Sequence, residues 1–155
     1  MNYRITGLGA APFMHLYGLT GAELRQLGVQ RVVADACPGY PDRIEMRDAE
    51  VGEKLLLLNL VCQSANTPYR ASHAIFIREG ATETYDRIGE IPDGMRKRLL
   101  SLRAYDALGI MLDADVVDGS ECEPRIRKFL DNPAVAYLHD HNAKRGCYSG
   151  RINGA

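Results

Sequence analysis

The sequence predicts an α+β domain around a mostly antiparallel sheet, flanked by two or three short helices. Segments with strand-like patterning outnumber the helical ones, and most of them are joined by short hairpin-like connections. The regular strand–helix alternation of a doubly wound fold is absent. A length of 155 residues suits one domain covering residues 1–155, and the pattern leaves open whether the sheet curls into a partial barrel.

The N-terminal half is predicted to hold most of the strands and one short helix. Thr20-Gly-Ala-Glu23 has the form of a capping box, in which Thr20 accepts from the third helical N–H and Glu23 reaches back. Leu24 and Leu27 then share a face, and Gly28 is a natural stop for a helix of about two turns. The predicted strands of this half cover residues 3–6, 29–36, 43–47, 55–62 and 72–77.

The C-terminal half predicts a β-hairpin, a helix and a final pair of strands. Residues 79–94 are weakly patterned and are predicted as loop, with a short helix able to start at Pro92. The hairpin is predicted from two strand-like arms around a turn that contains Gly109. The elements predicted after this loop are the arms 99–105 and 110–117, a helix from Ser120 or Pro124 to Asn132, and strands over 135–141 and 147–152.

The composition excludes several classes of protein. The formal net charge is −1, whereas a mainly electrostatic nucleic-acid binder would carry a basic surplus. No stretch approaches the roughly 20 apolar residues that a membrane span requires, and the N-terminus lacks the pattern of a signal peptide. The cysteines are widely spaced, which is typical of reduced thiols. We therefore expect a cytoplasmic protein that binds neither nucleic acid nor membrane.

The segment from Tyr137 to Tyr148 carries the densest chemistry of the chain. If residues 135–141 form a strand, period-2 geometry puts Tyr137, His139 and His141 on one face. The pair His139 and His141 has a spacing that suits zinc, copper or iron, with His73 or Cys147 as a third ligand. The sequence therefore supports a metal site as one hypothesis.

Two other kinds of site fit the same region. Cys147 follows a positively charged turn, so a thiol site is a second hypothesis, with His73 or His139 moving protons. A third is an anion pocket, because arginine presents a bidentate fork to carboxylate or phosphate. Its residues are Arg103 and Tyr105, which share one hairpin face, and Lys144 and Arg145 in the turn. The alternative role of Arg103 is an ion pair with Asp106 or Asp113 across the hairpin.

Four segments, taken in order, resemble a family of short bacterial proteins catalogued only as a domain of unknown function. They are Ser72-His-Ala-Ile-Phe, Leu102-Arg-Ala-Tyr-Asp106, Val116-Val-Asp-Gly119 and Asn142-Ala-Lys-Arg-Gly-Cys-Tyr148. The resemblance covers nearly the whole chain. It implies a single-domain bacterial protein and transfers no catalytic residue. The chain departs from the family it resembles at two places. Many members have Arg at the position of His141, and many have a segment similar to Gly-Pro-Ile-Phe-Val-His around the position of His73.

These observations favour a protein that binds a small anionic ligand at a site lined by His, Arg and Cys. One alternative is a small metal- or Cys/His-dependent enzyme with His73, His139 and Cys147 as catalytic residues. Another is a non-catalytic module that binds a partner protein. The sequence leaves the cofactor, the reaction and the oligomeric state open, with a homodimer among the possibilities.

Overall fold

The computed structural model describes residues 1–155, which form nine strands and three short α-helices. Single turns of 3₁₀ helix at Met14–Leu16 and Gly119–Glu121 complete the regular structure. The strands are β1 (Tyr3–Thr6), β2 (Gln30–Val33), β3 (Lys54–Gln63), β4 (Ala71–Arg78), β5 (Asp86–Ile88), β6 (Leu99–Tyr105), β7 (Met111–Asp118), β8 (Tyr137–Asn142) and β9 (Tyr148–Gly154), and the helices are α1 (Gly21–Gln26), α2 (Asp93–Arg96) and α3 (Glu123–Leu130).

The strands form two antiparallel sheets. The large sheet has six strands in the order β5-β1-β9-β8-β6-β7, and the small sheet has three in the order β2-β3-β4. The predicted α+β class with an antiparallel sheet is therefore confirmed, and no closed barrel forms. None of the helices has both the length and the apolar character needed to cross a membrane.

Each sheet covers its own hydrophobic core. One face of the large sheet packs against α3, where Leu100, Leu102 and Leu138 meet Ile126 and Phe129. A second core lies against the small sheet, and its buried side chains include Leu56, Leu58, Ile75 and Ile77 from β3 and β4. This arrangement leaves the other face of the large sheet free to meet the small sheet, where Tyr137 of β8 is hydrogen-bonded to Gln63 of β3.

The capping and hairpin predictions are confirmed. Thr20 accepts from the Glu23 N–H at 3.2 Å, and the Glu23 carboxylate accepts from the Thr20 N–H at 2.7 Å. Gly28 has a φ of 74°, the left-handed conformation that ends a helix without a side-chain clash. In the hairpin, Leu100 pairs with Val117 and Leu102 with Asp115 across β6 and β7.

Two predicted elements are wrong. Residues 43–47 form a loop rather than a strand, because Asp42 accepts from the Glu45 N–H at 2.6 Å and Met46 takes a φ of 56°. Residues 86–88, predicted as loop, form β5 against β1, where Arg4 pairs with Ile88 and makes an ion pair with Asp86. Local patterning missed this strand because its partner lies far away in the chain, with Arg4 and Asp86 separated by 82 positions.

Candidate functional site

β8 carries polar side chains through the middle of the large sheet. All six of its residues are buried, and the four from His139 to Asn142 are polar. Strand alternation sends Tyr137, His139 and His141 to the face that meets the small sheet. The Tyr137 hydroxyl accepts a hydrogen bond from Gln63 Nε2 of β3 at 2.9 Å, which joins the two sheets.

His139 lies inside a cage of tyrosine rings. Its ring centroid is 5.1 Å from Tyr105 and Tyr148 and 5.2 Å from Tyr137. Across the sheet it pairs with Arg103 on β6 and Arg151 on β9, so two guanidinium groups flank it. Burial, reinforced by Arg151 and Arg103, lowers the pKa of His139 to about 4. This imidazole is therefore neutral near pH 7, and its buried Nδ1 has no hydrogen-bond partner.

His141 is 1% exposed and has a defined orientation. Its Nδ1 lies 2.8 Å from the Gly146 carbonyl oxygen, which requires the proton to be on Nδ1 and leaves Nε2 with a free lone pair. Nε2 is buried without a partner. Burial lowers the pKa of His141 to about 3, so this tautomer persists at physiological pH.

His73 comes from the small sheet and meets His141 edge to face. The two ring centroids are 5.1 Å apart at an interplanar angle of 75°. Burial, with Arg103, lowers the pKa of His73, and its Nε2 is also buried without a partner. The donor atoms of Cys62, His73 and His141 all lie within 4.8 Å of one another, and His139 does not belong to this group. We call Cys62, His73 and His141 the inter-sheet triad.

A cleft of about 750 Å³ opens beside the inter-sheet triad. His73 belongs to the triad and also lines the cleft. Cationic side chains dominate its polar lining, whereas none of its lining residues carries a carboxylate. We call it the basic cleft; its cations are Arg43, Lys97, Arg98, Lys144 and Arg145, and its other lining residues include Tyr40, Pro41, Leu57, His73, Phe76, Asn142 and Cys147.

Three segments position the cations of the basic cleft. Arg43 is 1% exposed in the loop before β3, and it donates hydrogen bonds to the carbonyl oxygens of Pro41 and Tyr148. Arg98, just before β6, donates to both carboxylate oxygens of Asp48 at 3.0 and 2.6 Å. Burial lowers the pKa of Arg43, because the charged guanidinium has lost its hydration. Lys144 and Arg145 are exposed on the turn between β8 and β9.

The residues predicted as a site fall into two neighbouring groups. His73, Lys144, Arg145 and Cys147 line the basic cleft. The others, Arg103, Tyr105, His139 and His141, lie on the large-sheet face that meets the small sheet.

Arg103 does not form the cross-hairpin ion pair considered as its alternative role. Its Nε donates to the Ser101 hydroxyl at 3.3 Å, while Asp106 accepts from backbone N–H groups of its own turn and Asp113 from the Ala114 N–H. The Arg103 charge is therefore available to the histidines, whose pKa values are lowered mainly by burial and further by Arg103.

Sequence reasoning missed Arg43, Cys62, Lys97 and Arg98 as site residues. Arg43 falls inside the predicted strand 43–47, whereas the turn signals Pro38-Gly39 and Tyr40-Pro41 just before it favour a loop. Cys62 ends the longest apolar run of the chain, and a cysteine in such a run gives no indication in the sequence that its sulfur lies at a site. Lys97 and Arg98 belong to the basic run Arg96-Lys97-Arg98, and such a run is on its own typical of solvated surface charge.

Comparison with known families identifies the chain. Residues 39–153 match the family described as "Protein of unknown function (DUF1203)". The chain belongs to the DUF1203 family. The part that matches DUF1203 contains every residue of the basic cleft and of the inter-sheet triad, whereas β1, α1 and β2 precede it. No curated protein and no solved structure matches the chain.

Proposed function

We propose that this protein binds a small anionic metabolite in the basic cleft, as a cytoplasmic single-domain protein of bacterial origin. The observation that carries the proposal is the excess of positively charged side chains in the cleft lining. Arg43, Lys97, Lys144 and Arg145 converge without a carboxylate in the cleft lining, on a chain whose net charge is only −1, while the fifth cation, Arg98, is paired with Asp48 behind the lining. Cations gathered in a concave site focus the electrostatic potential there and raise the local concentration of anions.

The size of the basic cleft supports a small molecule rather than a polymer. A volume of about 750 Å³ lies within the range of small-molecule sites. Its apolar side chains suggest what the rest of the ligand looks like. The rings of Tyr40 and Phe76 contact each other with centroids 5.3 Å apart, and Leu57 lies nearby in the lining. A phosphate or carboxylate on an aromatic or aliphatic body matches both parts of the lining.

A thermal-shift screen tests the proposal. Inorganic phosphate, nucleoside phosphates and small dicarboxylates are added to the purified protein at fixed ionic strength, and the melting temperature is measured. At 100 times the dissociation constant, a ligand should stabilise the fold by about 2.7 kcal/mol. At least one of these anions should raise the melting temperature in a saturable manner.

A charge-reversed pair of variants provides the matched control. The double variant Lys144→Glu with Arg145→Glu changes the net charge by the same amount as Arg25→Glu with Lys128→Glu, whose residues are exposed on α1 and α3. Ligand stabilisation should disappear in the first double variant and persist in the second. Equal responses of the two double variants, or no stabilising anion in the whole screen, would refute the proposal.

A second candidate function is that of a cysteine-dependent enzyme acting on the bound anion. The observation in its favour is the contact between Arg43 Nη2 and the Cys147 sulfur at 3.1 Å, within the basic cleft that His73 also lines. A fixed cation beside a cysteine is typical of reactive thiols. Iodoacetamide should then alkylate Cys147 faster than the exposed Cys37. Slower labelling of Cys147 would contradict a nucleophilic role.

A further inference from the structure

Two β-bulges lie at the inter-sheet triad. The pairing of β3 with β4 shifts register between Val61 and Gln63, at Cys62, and the pairing of β8 with β9 shifts between Asp140 and His141. Bulges re-aim side chains and are over-represented next to functional sites. The extra residue of the first bulge is Cys62 of β3, and that of the second is Ser149 of β9, opposite Asp140 and His141.

We propose that Cys62, His73 and His141 bind a zinc ion between the two sheets. The proposal goes beyond anion binding and does not depend on it. Two imidazoles and one thiolate are ordinary zinc ligands, and three protein ligands leave the fourth tetrahedral position to water or another small ligand. His73 also lines the basic cleft, so an exogenous fourth ligand would enter from that side.

The distances are close to those of a zinc site. Bonds of about 2.0–2.3 Å in a tetrahedron separate ligand atoms by roughly 3.3–3.7 Å. The donor atoms of the inter-sheet triad lie within 4.8 Å of one another, so each pair needs to approach by at most about 1.5 Å. Rotation of the partly exposed Cys62 and His73 side chains can supply this movement, while His141 is held by its hydrogen bond to Gly146.

The hydrogen-bonding state of the imidazoles also fits a metal. His141 places its proton on Nδ1, bound to the Gly146 carbonyl, and the opposite nitrogen points its lone pair into the buried site. Metal-bound histidines usually donate their other N–H to a carbonyl or carboxylate in this manner. The Nε2 atoms of His141 and His73 are buried without hydrogen-bond partners, and such atoms carry a desolvation cost that a bound ion would remove.

The neighbouring residues define the ligand set. His139 is left out of the proposed ligand set because it does not belong to the group of donor atoms that lie within 4.8 Å of one another, and tyrosine rings enclose its imidazole. Burial raises the pKa of the Cys62 thiol, so zinc has to displace the thiol proton when it binds, and the resulting thiolate offsets part of the charge of the ion. An anionic fourth ligand would be favoured for the same reason.

A zinc titration with matched variants tests the ligand set. The metal-free protein, prepared with a chelator, is titrated with Zn²⁺ in competition with a chromogenic chelator. One equivalent should bind to the wild type. Cys62→Ser and His73→Asn should each weaken binding by about 100-fold or more, since a lost ligand matters at least as much as a lost outer partner. Their controls, Cys37→Ser and His15→Asn, replace exposed residues and should bind like the wild type.

Cobalt substitution gives a readout that a merely structural role would not produce. Co²⁺ in the site should show a thiolate-to-metal charge-transfer band in the wild type and in Cys37→Ser, and none in Cys62→Ser. Circular dichroism of each metal-free variant establishes that it is folded.

Three outcomes would overturn the zinc assignment. They are the absence of stoichiometric zinc binding, equal zinc affinity in Cys62→Ser and Cys37→Ser, and stoichiometric binding of copper alone. If zinc fails to bind but phosphate still raises the melting temperature, only the metal assignment falls. If zinc binds and no anion does, only the proposed function falls.

Discussion

Arg43 and Cys147 meet across the basic cleft, with Nη2 of the guanidinium 3.1 Å from the sulfur, although 104 residues separate them in the chain. The same guanidinium binds the carbonyl oxygens of Pro41 and Tyr148. Arg43 therefore connects the loop before β3 to the start of β9 through hydrogen bonds. Because Arg43 also lines the basic cleft, the same side chain contributes to the stability of the fold and to the shape of the cleft.

Replacement of Arg43 by methionine should destabilise the protein by about 2 kcal/mol, because buried carbonyl oxygens lose their donor. Urea unfolding followed by circular dichroism measures the change. Arg87→Met is the control, since Arg87 is exposed and its replacement should cost less than about 0.5 kcal/mol. Equal midpoints for the two variants would show that Arg43 does not fasten the loop.

Gly7→Ala should weaken both the fold and anion binding. A Cβ at residue 7 would collide with the carbonyl oxygens of Ile44 and Arg43, the latter at 2.9 Å, and would displace the loop that carries Arg43. We expect a destabilisation of about 1–3 kcal/mol, measured by urea unfolding, and a smaller thermal shift with the stabilising anion. Gly9→Ala, whose Cβ meets nothing within 4 Å, should leave both unchanged. A Gly7 variant that behaves like the Gly9 variant would contradict the predicted displacement.

Glu53 should make part of the stability acid-sensitive. Its hydrogen bonds from Arg47 lower its pKa to about 2, below the ordinary value of 4.5. Because the folded-state pKa is depressed, this stabilisation is present above pH 4.5 and is lost as the pH falls toward 2. Glu53→Gln should lower the free energy of unfolding at pH 7 by about 1 kcal/mol, since solvent screens this part-exposed pair.

The acid-sensitive contribution is isolated by comparison at two pH values. The stability difference between wild type and Glu53→Gln should narrow from pH 7 to pH 3, as measured by urea unfolding. Glu121→Gln replaces an exposed glutamate and should show no such narrowing. A difference that is the same at both pH values would exclude the ion pair as its source.

His139→Phe should distinguish the two sets of metal ligands. If zinc uses the inter-sheet triad, this variant keeps its zinc affinity; if zinc uses the pair His139 and His141, binding is lost. Phenylalanine preserves the ring contacts to the tyrosines and removes a buried nitrogen without a partner. We therefore expect the metal-free variant to be more stable than the wild type by about 1 kcal/mol, measured by thermal or urea unfolding.

The sequence was sufficient for the elements whose signals are local. The capping box at Thr20 and the alternation in β4 depend on neighbouring residues, and both match the structure closely. The strand pattern at residues 135–141 also put His139 and His141 on one face. In contrast, β5 forms because β1 offers it an edge, and no pattern within residues 86–88 reveals that edge.

The candidate site could be predicted only in part, because its geometry depends on how two sheets pack. The histidines and the turn with Lys144 and Arg145 stand out in the sequence. Cys62 does not, because a cysteine at the end of an apolar strand usually acts as a small hydrophobic residue. The bulge that accompanies Cys62 appears only once β3 is paired with β4.

The buried polar stretch of β8 has a consequence for how this sequence is maintained. Burial of His139, Asp140, His141 and Asn142 carries a desolvation cost, and the Asp140 carboxylate oxygens find no hydrogen-bond partner. A library of variants selected only for thermal resistance should therefore accumulate apolar residues at these four positions. Selection for zinc binding should instead retain His141, so the two selections together would show at which of these positions a polar residue lowers the stability in exchange for ligand binding.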